Sequence, residues 1–192
     1  LTVAERMDLA ETWAAIGPAT GLKVVIHTGH SSLEDAQSLA GHAAGLGVDA
    51  ISALAPSFLR PPSIDALVDW CTRVSQPAPG LPFFYYHIPA LTRLPFPMVD
   101  FLQIAPEKIP NFAGIKFTST DFEDLDACID LELENVEILF GTDENVLQGF
   151  QAGCRGAVGS SYNFASPLHL ELIQAYESGE GDEAKHLQER VV

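Results

Sequence analysis

The fold is decided by a strand–helix unit that begins with the run Lys23-Val-Val-Ile-His-Thr28. A continuous apolar run of this length is typical of a strand that is buried on both faces of a parallel sheet. Ser31 or Ser32 can cap the helix that follows. The apolar face of that helix comprises Leu33, Ala36, Ala40, Ala43 and Ala44. A strand followed directly by an amphipathic helix predicts a βα unit with a parallel neighbour.

The same unit recurs along the rest of the chain. The further predicted strands are residues 50–54, 83–88, 113–117, 136–140 and 156–159. Helical spacing of apolar residues follows the first four of these strands, at residues 64–71, 98–104, 122–128 and 146–150. Ser166-Pro167 is expected to open the next helix as N-cap and first helical residue, and residues 181–192 predict one more. Thr2 and Glu5 form a capping box that predicts a helix before the first strand.

Six βα units in a row favour one α/β architecture. No Gly-x-Gly-x-x-Gly follows the first strand, so an open dinucleotide-binding sheet loses support and a closed (β/α)8 TIM barrel gains it. Six strands alone would expose two sheet edges. We therefore expect residues 1–192 to be a single partial barrel domain, a fragment that lacks the first two strands and the C-terminal helices.

Composition excludes several classes of function. With 26 acidic and 10 basic residues the net charge is −16, which disfavours nucleic acid because phosphate binding needs clustered lysines and arginines. The three cysteines are odd in number and far apart, which predicts free thiols in a reducing compartment, the cytoplasm. No apolar run approaches the roughly 20 residues that cross a bilayer. The histidines show no metal-ligand spacing, so no metal is expected.

The most informative side chains stand where predicted strands end, which is where barrel enzymes carry their chemistry. Lys116 alone among the four lysines lies within an apolar strand. Burial disfavours an ammonium and frees the amine to attack a carbonyl, although a strand-end lysine can also extend to solvent or pair with a carboxylate. Tyr86, at the end of a neighbouring strand, supplies a phenol suited to proton transfer or else an ordinary wall residue.

Two turns add polar groups to this end of the sheet. Asp143 and Glu144 in the Gly141-Thr-Asp-Glu144 turn can accept hydrogen bonds from a polyhydroxylated ligand, or can cap the helix that follows. Ser160 lies in a Gly-Ser-Ser turn that can hold a small anion or a sugar. His27 and His87 are interpreted as pocket-wall or core residues.

Four motifs occur in an order that resembles one family. They are Tyr86-His-Ile-Pro-Ala-Leu-Thr92, Gly114-Ile-Lys-Phe117, Gly141-Thr-Asp-Glu144 and Gly159-Ser-Ser-Tyr-Asn163. Over essentially the whole chain they resemble the N-acetylneuraminate lyases of the dihydrodipicolinate synthase / N-acetylneuraminate lyase superfamily of class I aldolases. The synthase branch more often shows Pro-Gly-Arg-Thr after the tyrosine.

The resemblance implies the reversible cleavage of N-acetylneuraminate (sialic acid) to N-acetylmannosamine and pyruvate. It implies Lys116 as the Schiff-base lysine, with no cofactor beyond the covalent imine with pyruvate, and Tyr86 as the catalytic tyrosine. Thr118, Gly141, Asp143, Glu144 and Ser160 match positions that contact the sugar-derived part of the substrate. A homotetramer is also implied.

Departures from the family leave two alternatives open. The Gly-Thr-Thr-Gly-Glu segment that holds the pyruvate carboxylate is expected just before Leu1, Arg93 stands where many relatives have glycine, and Ser57-Phe58 replaces an aromatic pair. The alternatives are another pyruvate-dependent aldolase or synthase of the superfamily, similar to dihydrodipicolinate synthase, and a catalytically silent barrel that binds a sugar or keto acid.

Overall fold

A computed structural model describes residues 1–191, in which six strands alternate with helices. The strands are β1 (Val25–His27), β2 (Ala50–Leu54), β3 (Phe83–His87), β4 (Phe112–Phe117), β5 (Glu137–Phe140) and β6 (Gly156–Ala157). The helices are α1 (Val3–Thr20), α2 (Leu33–Leu46), α3 (Ile64–Ser75), α4 (Pro89–Thr92), α5 (Met98–Lys108), α6 (Phe122–Ile129), α7 (Val146–Ala152), α8 (Tyr162–Glu177) and α9 (Gly181–Val191). Each predicted strand is therefore present, β1 and β6 being shorter than expected; the end of the last predicted helix, Val192, lies outside the described residues.

The strands form one parallel sheet in the order β1-β2-β3-β4-β5-β6. Strand order that follows the sequence without reversal is the order of a barrel, whereas a doubly wound sheet reverses its order at a switch point. All carboxyl ends of the strands consequently lie at the same end of the sheet. Among residues 1–191, β1 and β6 each pair with a single neighbour.

Side chains cap the N-terminal ends of four helices, α1, α2, α3 and α6. Glu5 N–H donates to the Thr2 hydroxyl oxygen (3.2 Å) while Thr2 N–H donates to the Glu5 carboxylate (2.8 Å), which confirms the predicted capping box. Of the two candidate caps for α2, the structure uses Ser32, whose hydroxyl accepts from Asp35 N–H. The short helix α4 was not predicted. It ends at Arg93, which adopts the left-handed conformation (φ 55°) that glycine adopts at no steric cost, so glycine suits this position.

The helix predicted to open at Ser166-Pro167 is present as the second part of α8. Helix α8 spans Tyr162–Glu177, with Ser161 as its N-cap, and consists of two helical parts that meet at a kink. The backbone is non-helical at Ala165 (φ −123°, ψ 22°), directly before Ser166-Pro167, so the second part begins where the sequence predicts a helix start. The short first part, which begins at Tyr162, was not predicted. Proline lacks an N–H and its ring clashes with the carbonyl four residues earlier, so it separates the two parts and suits the first turn of the second.

Helices cover one face of the sheet and leave the other face for the site. The main core is made by β2–β5 with α2, α3 and α5, and its largest fully buried side chains include Tyr85, Phe83 and Phe101. A second cluster joins α7, α8 and α9 through Val146, Leu172 and Leu187. The thiols of Cys71, Cys128 and Cys154 are free, as predicted, and they are buried. No helix within residues 1–191 has the length and apolar character needed to cross a membrane.

Candidate active site

Lys116 and Tyr86 lie side by side on the face of the sheet opposite the helices. Strand β3 alternates between buried and partly exposed residues, and the Tyr85 ring packs on Phe101 of α5 (4.8 Å between centroids). Because successive strand residues point to opposite faces, Tyr86 points away from the helices. Lys116 stands between two fully buried neighbours in β4 and is paired in register with Tyr86, so it shares that face.

The amine and the phenol ring are in contact. Lys116 Nζ lies 4.1 Å from the centroid of the Tyr86 ring, within the range of a cation–π interaction. Both side chains are partly exposed. No carboxylate among residues 1–191 pairs with Lys116, which removes the interpretation of this lysine as half of an ion pair. The arrangement leaves an unpaired amine beside a phenol at the carboxyl ends of two adjacent strands.

His27 forms the wall next to this pair, as predicted from the sequence. Its ring meets Tyr86 edge-on, with centroids 6.0 Å apart, and its Nδ1 lies 3.2 Å from Ser52 Oγ. Burial, together with the positive charges of Arg6 and Lys116, lowers the pKa of His27 to about 4, so its imidazole is neutral near pH 7. Arg6 holds the end of β1 by donating to the carbonyl oxygens of His27 (2.6 Å) and Gly29 (3.0 Å). No sequence signal marked Arg6, because nothing in α1 distinguishes it from a surface arginine.

Thr118 and Gly141 close the site on the β5 side. A methyl group at Gly141 would stand 2.9 Å from Thr118 Cβ and 3.1 Å from Lys116 Cε, so only glycine allows this close approach. Thr118 N–H donates to the carbonyl of His87 (2.9 Å). Its hydroxyl is buried and has no partner among residues 1–191, which leaves it available to a bound molecule. The structure thus brings together Lys116, Tyr86, Thr118 and Gly141.

Asp143 lies two residues beyond Gly141 and is almost fully buried, with 9% exposure. Its carboxylate accepts from Ser161 N–H (2.7 Å), and Gly159 packs against it so closely that a Cβ would stand 2.6 Å from Asp143 Cγ. Burial acts to raise the pKa of this carboxyl, but hydrogen bonds from the hydroxyl and N–H of Ser161 outweigh burial and hold the pKa below its usual value. Asp143 is therefore ionised near neutral pH.

Asp143 and Glu144 lie in the first turn at the N-terminal end of their own helical segment, as the alternative interpretation expects of acids that complement a helix dipole, but among residues 1–191 neither makes a side-chain cap there. Neither the single 3₁₀ turn at Asp143–Asn145 nor α7 begins with a side-chain cap. The Asp143 carboxylate instead accepts a hydrogen bond from Ser161, the N-cap residue of α8. The two residues are 18 positions apart, so a local sequence pattern cannot predict this contact.

Glu144 and Ser160 lie at the exposed rim. The side chains of both residues are exposed, and their carbonyl oxygens accept from Gln188 Nε2 and Asn163 Nδ2, each at 3.0 Å. The rim offers an exposed carboxylate and an exposed hydroxyl next to the buried carboxylate of Asp143. Sequence reasoning missed His169 in α8, whose imidazole is hydrogen-bonded to Ser161, the residue after Ser160.

A cavity of about 510 Å³ lies elsewhere, lined by residues that include Ile129, Glu137 and Arg155. Glu137 begins β5, and Arg155 directly precedes β6. This cavity is therefore at the amino ends of the strands, away from Lys116.

The fold and this site define a parallel β/α barrel protein with a lysine–tyrosine pair at the carboxyl ends of its strands. The chain belongs to the dihydrodipicolinate synthetase family, whose profile matches residues 1–192.

Within this family the chain is similar to N-acetylneuraminate lyases. It is 42% identical to the N-acetylneuraminate lyase of Xenopus tropicalis over 188 residues, which cover 98% of this chain and 61% of that protein. It is 41% identical to that of Homo sapiens over 178 residues, which cover 92% and 56%. The solved N-acetylneuraminate lyase of Proteus mirabilis superposes with a TM-score of 0.94 at 37% identity, covering all of this chain and 64% of that one. These matches confirm the predicted barrel fold and family, and the chain spans about three-fifths of the length of these relatives.

Proposed function

We propose that the protein is a Schiff-base aldolase that cleaves N-acetylneuraminate reversibly to N-acetylmannosamine and pyruvate. The observation that carries the proposal is the contact of Lys116 Nζ with the Tyr86 ring, 4.1 Å from its centroid, in a chain about 40% identical to N-acetylneuraminate lyases. An amine and a phenol on adjacent strand ends are the two groups that imine chemistry with proton transfer requires.

Lys116 supplies the nucleophile. In its neutral form, its amine attacks the ketone carbon of the substrate, water leaves, and a protonated imine results. The imine nitrogen accepts the electron pair of the breaking carbon–carbon bond, so the reaction needs no cofactor beyond the covalent imine. Two features support this role: the amine has no carboxylate partner among residues 1–191, and it stands on the open face of the sheet.

Tyr86 moves the proton. Cleavage converts the substrate hydroxyl next to the breaking bond into a carbonyl, and its proton must pass to a nearby base, which returns it in the condensation direction. The phenol oxygen of Tyr86 is the group that we assign to this transfer. Its ring also orients the amine, since the two are stacked.

The sugar-derived part of the substrate binds between Thr118 and the rim. The unpartnered Thr118 hydroxyl, the close approach at Gly141 and the ionised carboxylate of Asp143 line the inner part. Glu144 and Ser160 extend the same surface outward. Carboxylates and hydroxyls in this arrangement suit a ligand with several hydroxyl groups, since each carboxylate oxygen accepts more than one hydrogen bond.

We further propose a cytoplasmic homotetramer. Three buried free thiols suit a reducing compartment. Phe58 and Leu59, in the loop after β2, are 86% and 77% exposed, as expected of apolar residues that a neighbouring subunit covers.

The test uses the protein expressed from its complete gene. Pyruvate release from N-acetylneuraminate is measured for the wild type and for Lys116→Arg, which keeps the positive charge but cannot form the imine. Release by the wild type alone supports the proposal. If the wild type instead condenses pyruvate with aspartate semialdehyde, the function is that of the synthase branch. If it binds pyruvate and turns over neither substrate, it is a silent binding barrel.

A further inference from the structure

Three hydrogen-bonded residues connect the buried carboxylate of Asp143 to α8. Asp143 accepts from the N–H of Ser161 (2.7 Å), and Ser161 Oγ shares a hydrogen bond with His169 Nε2 (2.8 Å). His169 is 2% exposed, and the proposed chemistry gives it no role. A buried polar side chain that contacts the partner of a ligand-binding carboxylate calls for a physical reason, because burying it carries a cost.

The bend in α8 is what makes this contact possible. Ser161 and His169 are eight residues apart, which in a straight helix separates them by about 12 Å along the axis. That is beyond the reach of a serine and a histidine side chain. The non-helical backbone at Ala165, beside Pro167, turns the helix so that His169 reaches back to its own N-terminus.

Ser161 joins the two side chains. Its N–H donates to the Asp143 carboxylate (2.7 Å), and its hydroxyl oxygen lies 2.8 Å from His169 Nε2. The other imidazole nitrogen, Nδ1, is buried and has no partner among residues 1–191, so Nε2 makes the hydrogen bond that holds the ring.

Tyr162 holds the imidazole from the side. The two rings meet edge-on, with centroids 4.2 Å apart and planes at 88°. The imidazole is thus held by a hydrogen bond at one nitrogen and by an aromatic ring against its side.

We propose that His169 is a positioning residue for substrate binding: through Ser161 it fixes the orientation of the Asp143 carboxylate that receives the hydroxyls of the sugar-derived substrate. The inference rests on the proposed function for the identity of that substrate. It assigns to His169 no contact with the substrate and no part in imine formation.

Two isosteric variants separate the hydrogen bond from the bulk of the side chain. In His169→Gln the amide nitrogen stands where Nε2 was and can still donate to Ser161. In His169→Asn the amide reaches only the position of Nδ1. We expect His169→Asn to raise the KM for N-acetylneuraminate about 5-fold, the effect of one weakened hydrogen bond, with kcat and borohydride trapping of pyruvate nearly unchanged. His169→Gln should remain close to the wild type.

Two variants of Ser161 test the same hydrogen bond in case the His169 variants do not fold. Ser161→Ala keeps the backbone N–H but removes the hydroxyl, whereas Ser161→Thr keeps both. The alanine variant should show the same rise in KM, and the threonine variant should not.

The second readout does not depend on activity. The carboxyl carbon of Asp143 is titrated by NMR in each protein, and in His169→Asn and Ser161→Ala its pKa should rise toward the usual range. If Asn and Gln variants titrate alike, or if KM and kcat change together for every substrate, His169 only packs and the inference is wrong. If the wild type cleaves no N-acetylneuraminate, the proposed function fails, and the Asp143 titration still decides whether His169 positions this carboxylate.

Discussion

Replacing Tyr86 by phenylalanine separates the hydroxyl from the ring at the centre of the site. The variant keeps the ring 4.1 Å below Lys116 Nζ and edge-on to His27 at 6.0 Å. Tyr86→Leu is the matched comparison, because it removes the hydroxyl and the ring together.

The hydroxyl and the ring of Tyr86 should contribute to kcat by different amounts. A positioned acid–base group contributes about 10²- to 10⁴-fold to kcat, or roughly 3–5 kcal/mol of activation free energy. The ring contacts are worth less: about 0.5–1 kcal/mol for an exposed cation–π contact and about 0.5–1.5 kcal/mol for an aromatic pair. The hydroxyl therefore dominates. Tyr86→Phe should account for most of the loss in kcat, and Tyr86→Leu should add roughly tenfold, largely by misplacing the amine.

Two assays on the protein expressed from its complete gene test this order. Steady-state cleavage of N-acetylneuraminate measures kcat, and borohydride trapping of pyruvate measures how well Lys116 forms the imine. Tyr86→Phe should trap pyruvate almost as the wild type does while its kcat falls, and Tyr86→Leu should be impaired in both. A kcat near that of the wild type in Tyr86→Phe would refute the proton-transfer role and leave Tyr86 as a wall residue.

Three further predictions follow from the same site and its surroundings. Pyruvate with borohydride should leave a stable adduct on Lys116, seen by peptide mass spectrometry, and an adduct confined to the other lysines would overturn the assignment. Asp143→Asn and Glu144→Gln should each weaken the use of N-acetylneuraminate by about 10- to 100-fold while pyruvate trapping persists; equal loss for every substrate, with a lower melting temperature, would indicate a purely structural role. Burial lowers the pKa of His87 to about 4, against an opposing effect of Asp121, so protons favour the unfolded chain and stability is lost as pH falls from about 6.5 toward 4. The free energy of unfolding, measured by urea titration, should fall between about pH 7 and pH 5 in both proteins. Because His87→Gln lacks the titrating imidazole, its fall should be smaller than that of the wild type by roughly 2 kcal/mol.

The sequence predicted the strands well because buried parallel strands have a strong local signal. The apolar run at 83–88 yielded β3, and the run at 50–54 matched β2 at both ends. Helix boundaries were less predictable. Ser166-Pro167 has the residues of a helix start, and it opens the second part of α8 after the kink at Ala165. The short helical part that begins at Tyr162 was not predicted, and the contact of its N-cap residue Ser161 with Asp143 joins residues too far apart to appear in a local pattern.

Some features of the candidate site could likewise be predicted from the sequence, and others could not. The positions of Lys116 and Tyr86 at adjacent strand ends could be predicted from strand boundaries, since parallel pairing brings them together. The stacking of amine on ring, the close approach at Gly141 and the hold of Ser161 on Asp143 could not, because each depends on the register or on a residue far along the chain. The roles assigned to these residues stay predictions.

The order of the strands also bears on how the chain folds during synthesis. Among residues 1–191, each strand pairs only with its neighbours in the sequence, so each strand from β2 to β6 is made after the strand on which it pairs. The loops that must close are single βα units, and the entropy of closing such a loop grows only slowly with its length. Synthesis from the N-terminus can thus extend the sheet one unit at a time, each new strand pairing at the growing edge.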